Sequence, residues 1–178
     1  RARRRRIPRR AHRHHPADLR RSHRRAREPP APARNRENGD FRRLREALAL
    51  AHELSHPFSL AFARCSAAYV RQFRRDVSAV YEQAEAAVAL STEQGFPLWA
   101  ARGMTLRGWV LVMQGRDEEG MRQVRQGIAA WRATGTGLFL PYLCTVLGDV
   151  CGHLGHLEDG LQALVEAHTL VEQHEERW

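Results

Sequence analysis

MTLRGWVLVMQGRDEEG (residues 104–120) lies over CTVLGDVCGHLGHLEDG (144–160) at an offset of forty. The overlay pairs Gly108 with Gly148, Gly115 with Gly155 and Gly120 with Gly160, and Gly95 recurs as Gly135 just outside it. Upstream, EALALAHELSHP (46–57) lies over AAVALSTEQGFP (86–97), which pairs Pro57 with Pro97, and Ala68 falls where the later copies have Gly108 and Gly148. Self-similarity at one fixed offset is the mark of a repeat architecture. Apolar residues recur at the three- and four-residue spacing of helices, in the stripes Leu44, Ala47, Leu48, Ala51; Val77, Val80, Tyr81, Ala84, Val88; Met121, Val124, Ile128, Trp131; and Leu161, Leu164, Val165, Leu170. No alternating strand pattern competes with them.

Each unit reads as helix–turn–helix. Pro97 suits the first turn of a helix, where its missing N–H has no partner to lose. That helix runs to about Gln114, and Gly115 can take the left-handed conformation that stops it. A second helix starts at Asp117, with Glu118 and Glu119 against the positive end of its dipole, and runs to about Thr134. Glu158 and Asp159 recur at the same point of the next unit, so these carboxylates are helix-start charges and not a catalytic pair. Gly108 and Gly148 lie mid-helix, where glycine costs about 1 kcal/mol relative to alanine. A cost that recurs implies a benefit that recurs, namely close approach of the two helices of a hairpin. The expected fold is all-α, a right-handed α-α superhelix of about three hairpins, with units near 57–96, 97–136 and 137–178.

The charge separates two regions. Residues 1–38 hold 15 Arg against Asp18, Glu28 and Glu37, a balance of +12, and residues 39–178 hold 14 Arg against 17 acids, a balance of −3. The first region has almost no apolar material and closes on Pro29, Pro30 and Pro32, so it is expected to be a disordered Arg-rich tail. Clustered arginines favour a nucleic-acid arm, but no aromatic residue lies between them to stack on bases. A solvated linker, or a GC-rich gene read in another frame, gives the same composition. The chain opens on Arg1, which implies a processed product or a fragment.

Several chemistries are excluded or disfavoured. All 29 basic residues are arginine, so there is no P-loop lysine and no Schiff base. No apolar run approaches the ~20 residues of a membrane span, and no secretory signal is present. Cys65, Cys144 and Cys151 fit no zinc spacing and are expected as reduced, buried thiols of a cytoplasmic protein. Cys144 and Cys151, seven residues apart on one helix, sit roughly 10 Å apart, too far for a disulfide. Cys151, His153 and His156 are three donors near a turn with no carboxylate aimed at them, so no metal site is assigned. No cofactor and no catalytic residue is expected.

The small residues at Ala68, Gly108 and Gly148, at Val80, Gly120 and Gly160 twelve further on, and at Ala87, Gly127 and Ala167 resemble the tetratricopeptide repeat. Val80 departs from that pattern, and the period of forty exceeds the family's usual thirty-four. HPFSLAFA (56–63), STEQGFPLW (91–99), RGWVLVMQG (107–115) and EERW (175–178) resemble the C-terminal repeat region of large bacterial signalling ATPases that carry cyclase-type domains. The resemblance implies a non-catalytic scaffold for protein–protein interaction, a fragment of such a protein, with a protein, a peptide or another domain of the parent chain in a groove lined by first helices. By analogy with tetratricopeptide grooves the exposed positions are Phe62, Tyr69, Gln72, Arg102, Thr105, Trp109, Val112, Tyr142, Thr145, Asp149 and His153, with Tyr69, Trp109 and Asp149 at one equivalent position. The alternative is a nucleic-acid-binding module led by residues 1–38. The last unit has no polar capping helix, which implies a missing continuation, self-association through that end or poor solubility.

Overall fold

The structure, a computed structural model, describes residues 31–174. It is all-helical, with no strand among the described residues. Helix α1 spans Ala31–Glu53, α2 Pro57–Phe73, α3 Val77–Gln94, α4 Pro97–Met113, α5 Asp117–Ala133, α6 Leu140–His153 and α7 Leu157–His174. The chain divides into two compact units at Asp40, and the packing below is that of the unit from Phe41 onward. Among the described residues no helix is long and apolar enough to cross a membrane. Of the tail expected to be disordered, residues 1–30 lie outside the described residues. Residues 31–38 are instead the first turns of α1, where Pro32 falls in the one part of a helix that tolerates proline.

The helices are set by a regular backbone event. Ser55 (φ 48°), Arg75 (58°), Gly95 (70°), Gly115 (81°), Gly135 (74°) and Gly155 (77°) all take the left-handed conformation, one every twenty residues. Each ends one helix, and in every case but one the next helix begins two residues later. Caps follow the residue types available. His56 accepts from the Ser59 N–H (3.3 Å) and Asp76 from the Ala79 N–H (3.3 Å). Pro57 and Pro97 occupy first turns, and Asp117, Glu118 and Glu119 of α5 and Glu158 and Asp159 of α7 carry the expected first-turn charge.

The exception is α6, which starts at Leu140 and not near 137. The residue forty after Pro97 is Gly137, which does not favour a helix start. The chain makes a tight turn there, with the Leu140 N–H on the Gly137 carbonyl (3.0 Å), and takes a further left-handed residue at Phe139 (φ 64°). Pro141 then sits in the first turn.

Sequential helices pack on one another from α2 to α7, and α2 also meets α4 while α4 meets α6. The tightest crossing is that of α4 with α5. A Cβ added to Gly108 would lie 2.7 Å from the Val124 nitrogen and 2.8 Å from the Gly120 carbonyl oxygen. One added to Gly120 would lie 2.7 Å from both the Val112 nitrogen and the Gly108 carbonyl oxygen. At Gly127 it would meet the Thr105 hydroxyl and, at 2.8 Å, the Ala101 carbonyl oxygen. These are backbone-to-backbone contacts, as the recurring glycines led one to expect. The α6/α7 crossing is looser: at Gly148 the nearest atoms are the flexible end of Leu164 at 3.0 Å, with the Gly160 oxygen at 3.4 Å.

Trp109, Trp131, Leu106, Val110, Val112, Val124, Leu143, Val146 and Val150 form the core around these crossings. The fourth apolar stripe lies on a helix as its period implies, but of its members only Leu170 packs against the core. Leu161, Leu164 and Val165 are exposed, together with Leu157, while α7 buries Gly160, Ala163 and Ala167. Close approach to α6 requires small residues on the contact face, so Leu157, Leu161 and Val165 lie off it, and only the flexible end of Leu164 reaches Gly148.

Two outcomes test this packing. Gly108→Ala should destabilise the protein by about 1–3 kcal/mol in denaturant unfolding, whereas Gly148→Ala should be close to neutral; equal losses would contradict the asymmetry. Ser55→Gly should stabilise by about 0.5–1 kcal/mol, because it relieves a left-handed serine, and a lower melting temperature would count against that assignment.

Candidate functional site

The meeting of α2, α4 and α6 places residues forty apart on a common face, where the sequence puts its candidate groove. The face is not an open groove. Gln72, Arg102, Thr105, Trp109, Val112 and Tyr142, expected to be exposed, are buried. Phe62, Thr145 and His153 are exposed, and Tyr69 and Asp149 are half-buried. Two causes act: side chains of α2 and α6 meet across α4 and cover Gln72 and Tyr142, while Thr105 and Val112 face Gly127 and Gly120 at the crossing with α5.

Aromatic rings make the first part of this filling. Tyr69 of α2 packs edge-on against Tyr142 of α6 (centroids 4.5 Å), against Phe73 (4.9 Å) and against Phe139 (6.2 Å). The Tyr142 hydroxyl donates to Gln72 Oε1 at 3.2 Å, which joins residues seventy apart. Phe62 stacks edge-on against Trp99 at 5.3 Å. Thr105 and Thr145 turn their hydroxyls back to the carbonyls of Ala101 (3.0 Å) and Tyr142 (2.7 Å), so neither is held by a neighbouring helix.

Asp149 makes the second part. Its Oδ2 accepts from the indole N–H of Trp109 at 2.7 Å, and its Oδ1 accepts from Arg75 Nη2 at 2.7 Å. The Arg75 guanidinium also lies 5.8 Å from the centroid of the Trp109 ring. One carboxylate thus ties the turn after α2, the middle of α4 and the middle of α6. Of the expected trio, Trp109 and Asp149 are brought together; Tyr69 instead joins the aromatic cluster. Arg75 was missed at the sequence level, because an arginine carries no signal for a left-handed turn.

The third part is Arg102, whose guanidinium carbon lies 4.2 Å from the Phe139 ring centroid and 5.4 Å from that of Tyr69. Burial draws its pKa down from the ordinary guanidinium value. Burial pushes the Cys65 thiol up to about 12, against the opposing pull of the Arg102 charge, and the Cys144 thiol up to about 11. Tyr142 is also pushed up by burial. The Cys65 thiol donates to the Trp99 carbonyl at 3.5 Å, and all three cysteines are free and buried. Such thiols are protonated packing groups, not nucleophiles. Among the described residues no group of three or more His, Cys, Asp and Glu side chains gathers as a metal site. Cys151 is buried, whereas His153 and His156 are exposed.

Asp149→Ala should cost about 1–3 kcal/mol by leaving the buried Trp109 N–H without an acceptor, and Asp149→Asn, which keeps an acceptor, should cost less. An alanine variant as stable as the parent would refute the tie. The raised thiols give a pH dependence with a definite sign. Unfolded thiols lose their protons near ~8.5, whereas folded Cys65 holds its proton to about 12. The folded state therefore binds more protons in that window, and stability should fall as pH rises through it. Cys65→Ala should flatten the decline in unfolding free energy, and an unchanged slope would contradict the assignment. No family model matches the chain, and neither does a curated protein or a solved structure.

Proposed function

We propose that the unit from Phe41 onward is a tetratricopeptide-like scaffold without catalytic chemistry: a right-handed superhelix of three helical hairpins that binds a protein or peptide. The observation that carries this reading is the alignment of α2, α4 and α6 at forty-residue spacing, with left-handed stops every twenty residues. A stack of this kind offers a continuous face whose residues come from successive units. The partner surface is the exposed rim of that face, with Phe62, Thr145 and His153 around the half-buried Tyr69 and Asp149. The buried members, Gln72, Arg102, Thr105, Trp109, Val112 and Tyr142, set its shape and do not touch the partner.

On the strength of the sequence resemblance, the reading extends to a cytoplasmic regulatory segment of a bacterial signalling ATPase or cyclase, whose other domains are candidate partners. The exposed stripe Leu157, Leu161 and Val165 on α7 is then a face for a further apolar helix, from the same parent chain or a second copy.

The alternative class is nucleic-acid binding through the +12 balance of residues 1–38. Deleting residues 1–30, which hold 13 of the arginines, separates the two. A scaffold keeps its protein partner, whereas a nucleic-acid module loses duplex DNA binding and its steep salt dependence. For the scaffold itself, Phe62→Ala, Thr145→Ala and His153→Ala together should lower recovery of the captured partner by about tenfold, roughly 1.4 kcal/mol of binding, with the melting temperature unchanged. Full recovery by that variant would overturn the rim as the binding surface.

A further inference from the structure

Each second helix of the stack presents one face to the helix that follows it. Ala84 and Val88 of α3 lie under α4, where a Cβ added to Gly103 would sit 3.2 Å from the Ala84 carbonyl oxygen and 3.4 Å from the Val88 nitrogen. Forty residues on, Val124 and Ile128 of α5 are buried in one cluster with Leu140 and Leu143 of α6. Forty further on, the same positions of α7 are Leu164 and His168. Ala84 and Val124 are both 0% exposed, whereas Leu164 is 45% exposed, and His168 is exposed beside it. Among the described residues no helix lies on this face of α7. It opens instead on a mostly apolar cavity of about 430 Å³, lined also by Tyr142 and Thr145 of α6 and by Tyr69 and Phe73 of α2. Positions 157, 161, 164, 168 and 171 alternate by four and three along α7, the spacing of a seam between paired helices.

The flank of this seam is acidic. In the interior of the stack, Arg107 of α4 reaches back to Glu85 of α3 at 3.0 Å, which ties the covering helix at its edge. The residue of α7 that matches Glu85 is Val165, but Glu158 and Glu172 stand seven residues before and after it. Seven residues turn a helix by about two full turns, so all three share one side. Both glutamates are exposed, and Glu172 lies 3.6 Å from the His168 ring. A second copy fits poorly here, because two α7 seams laid together set glutamate against glutamate in either direction. Charges beside a seam decide which helix it accepts.

We propose that this face takes an amphipathic α-helix from a protein partner, seated as α6 sits on α5. Its apolar residues, at three- and four-residue spacing, fill the seam, and an arginine or lysine on its flank meets Glu158 and Glu172. The inference deepens the scaffold reading and rests on it, but it uses the end of the stack and not the rim.

The probe is a peptide of α4 itself, residues 97–113, which covers α3 in the corresponding position and carries Arg107. Titrated with the full chain at low salt and followed by fluorescence anisotropy, it should bind saturably. Leu161→Arg in the protein, at a 64% exposed position, should weaken that binding by about tenfold with the melting temperature unchanged. Arg107→Glu in the peptide should weaken it by roughly threefold at low salt and less at high salt. No saturable binding, binding undiminished in Leu161→Arg, or equal binding of the two peptides overturns the proposal. A dimer in sedimentation velocity that Leu161→Arg abolishes also overturns it, because the occupant is then a second copy. Phe62→Ala, on the rim, should leave peptide binding intact, and a loss there overturns the end face as the site. A rim variant that keeps its captured partner bears on the rim alone, so the two readings fail separately.

Discussion

Where α4 crosses α5, Gly108 and Gly120 bring two backbones closer than a methyl group allows. This contact governs what surrounds it. Helices that touch along their backbones leave no room between them for large side chains, so Val112 and Val124 pack beside the crossing and Trp109 reaches out to α6. The same demand explains α7, which turns Gly160, Ala163 and Ala167 toward its partner and leaves Leu157, Leu161 and Leu164 exposed. Glycine in a helix is a local loss, and here it is recovered as packing between elements.

Much of the fold was legible because that loss recurs at one offset. The glycines at 95, 115, 135 and 155 mark helix ends, and those at 108, 120 and 127 mark the contact line. Ser55 and Arg75 occupy the same left-handed turns without any residue type to announce them, so the twenty-residue rhythm was hidden behind the forty-residue one. The late start of α6 follows from the proline at 141 and the glycine at 137, a local preference that overrides the period. The candidate face was legible as a set of positions but not as a surface. Spacing says which residues share a side of a helix; it does not say that Tyr69 and Tyr142 will meet across the helix between them.

The interior of that face is unusual in its charge balance. Asp149 is answered by Arg75 and by the Trp109 N–H, so its negative charge is well placed. Among the described residues no carboxylate pairs with Arg102, which lies against the rings of Phe139 and Tyr69. Surface pairs such as Arg125 with Asp159 and Arg132 with Glu166 link α5 to α7 but add little stability, because solvent screens them.

The Asp149 carboxylate bears on how the protein comes apart. A stack of repeats with only neighbour contacts can peel from either end, one unit at a time. Here Arg75, seventy-four residues away in sequence, is held by the same group that holds Trp109. Releasing the hairpin of α2 and α3 removes one hydrogen-bond donor from Asp149 of α6. The contact spans two hairpins, but Arg75 is largely open to solvent, so the coupling it adds is modest and the firmer link is the Trp109 N–H on Asp149.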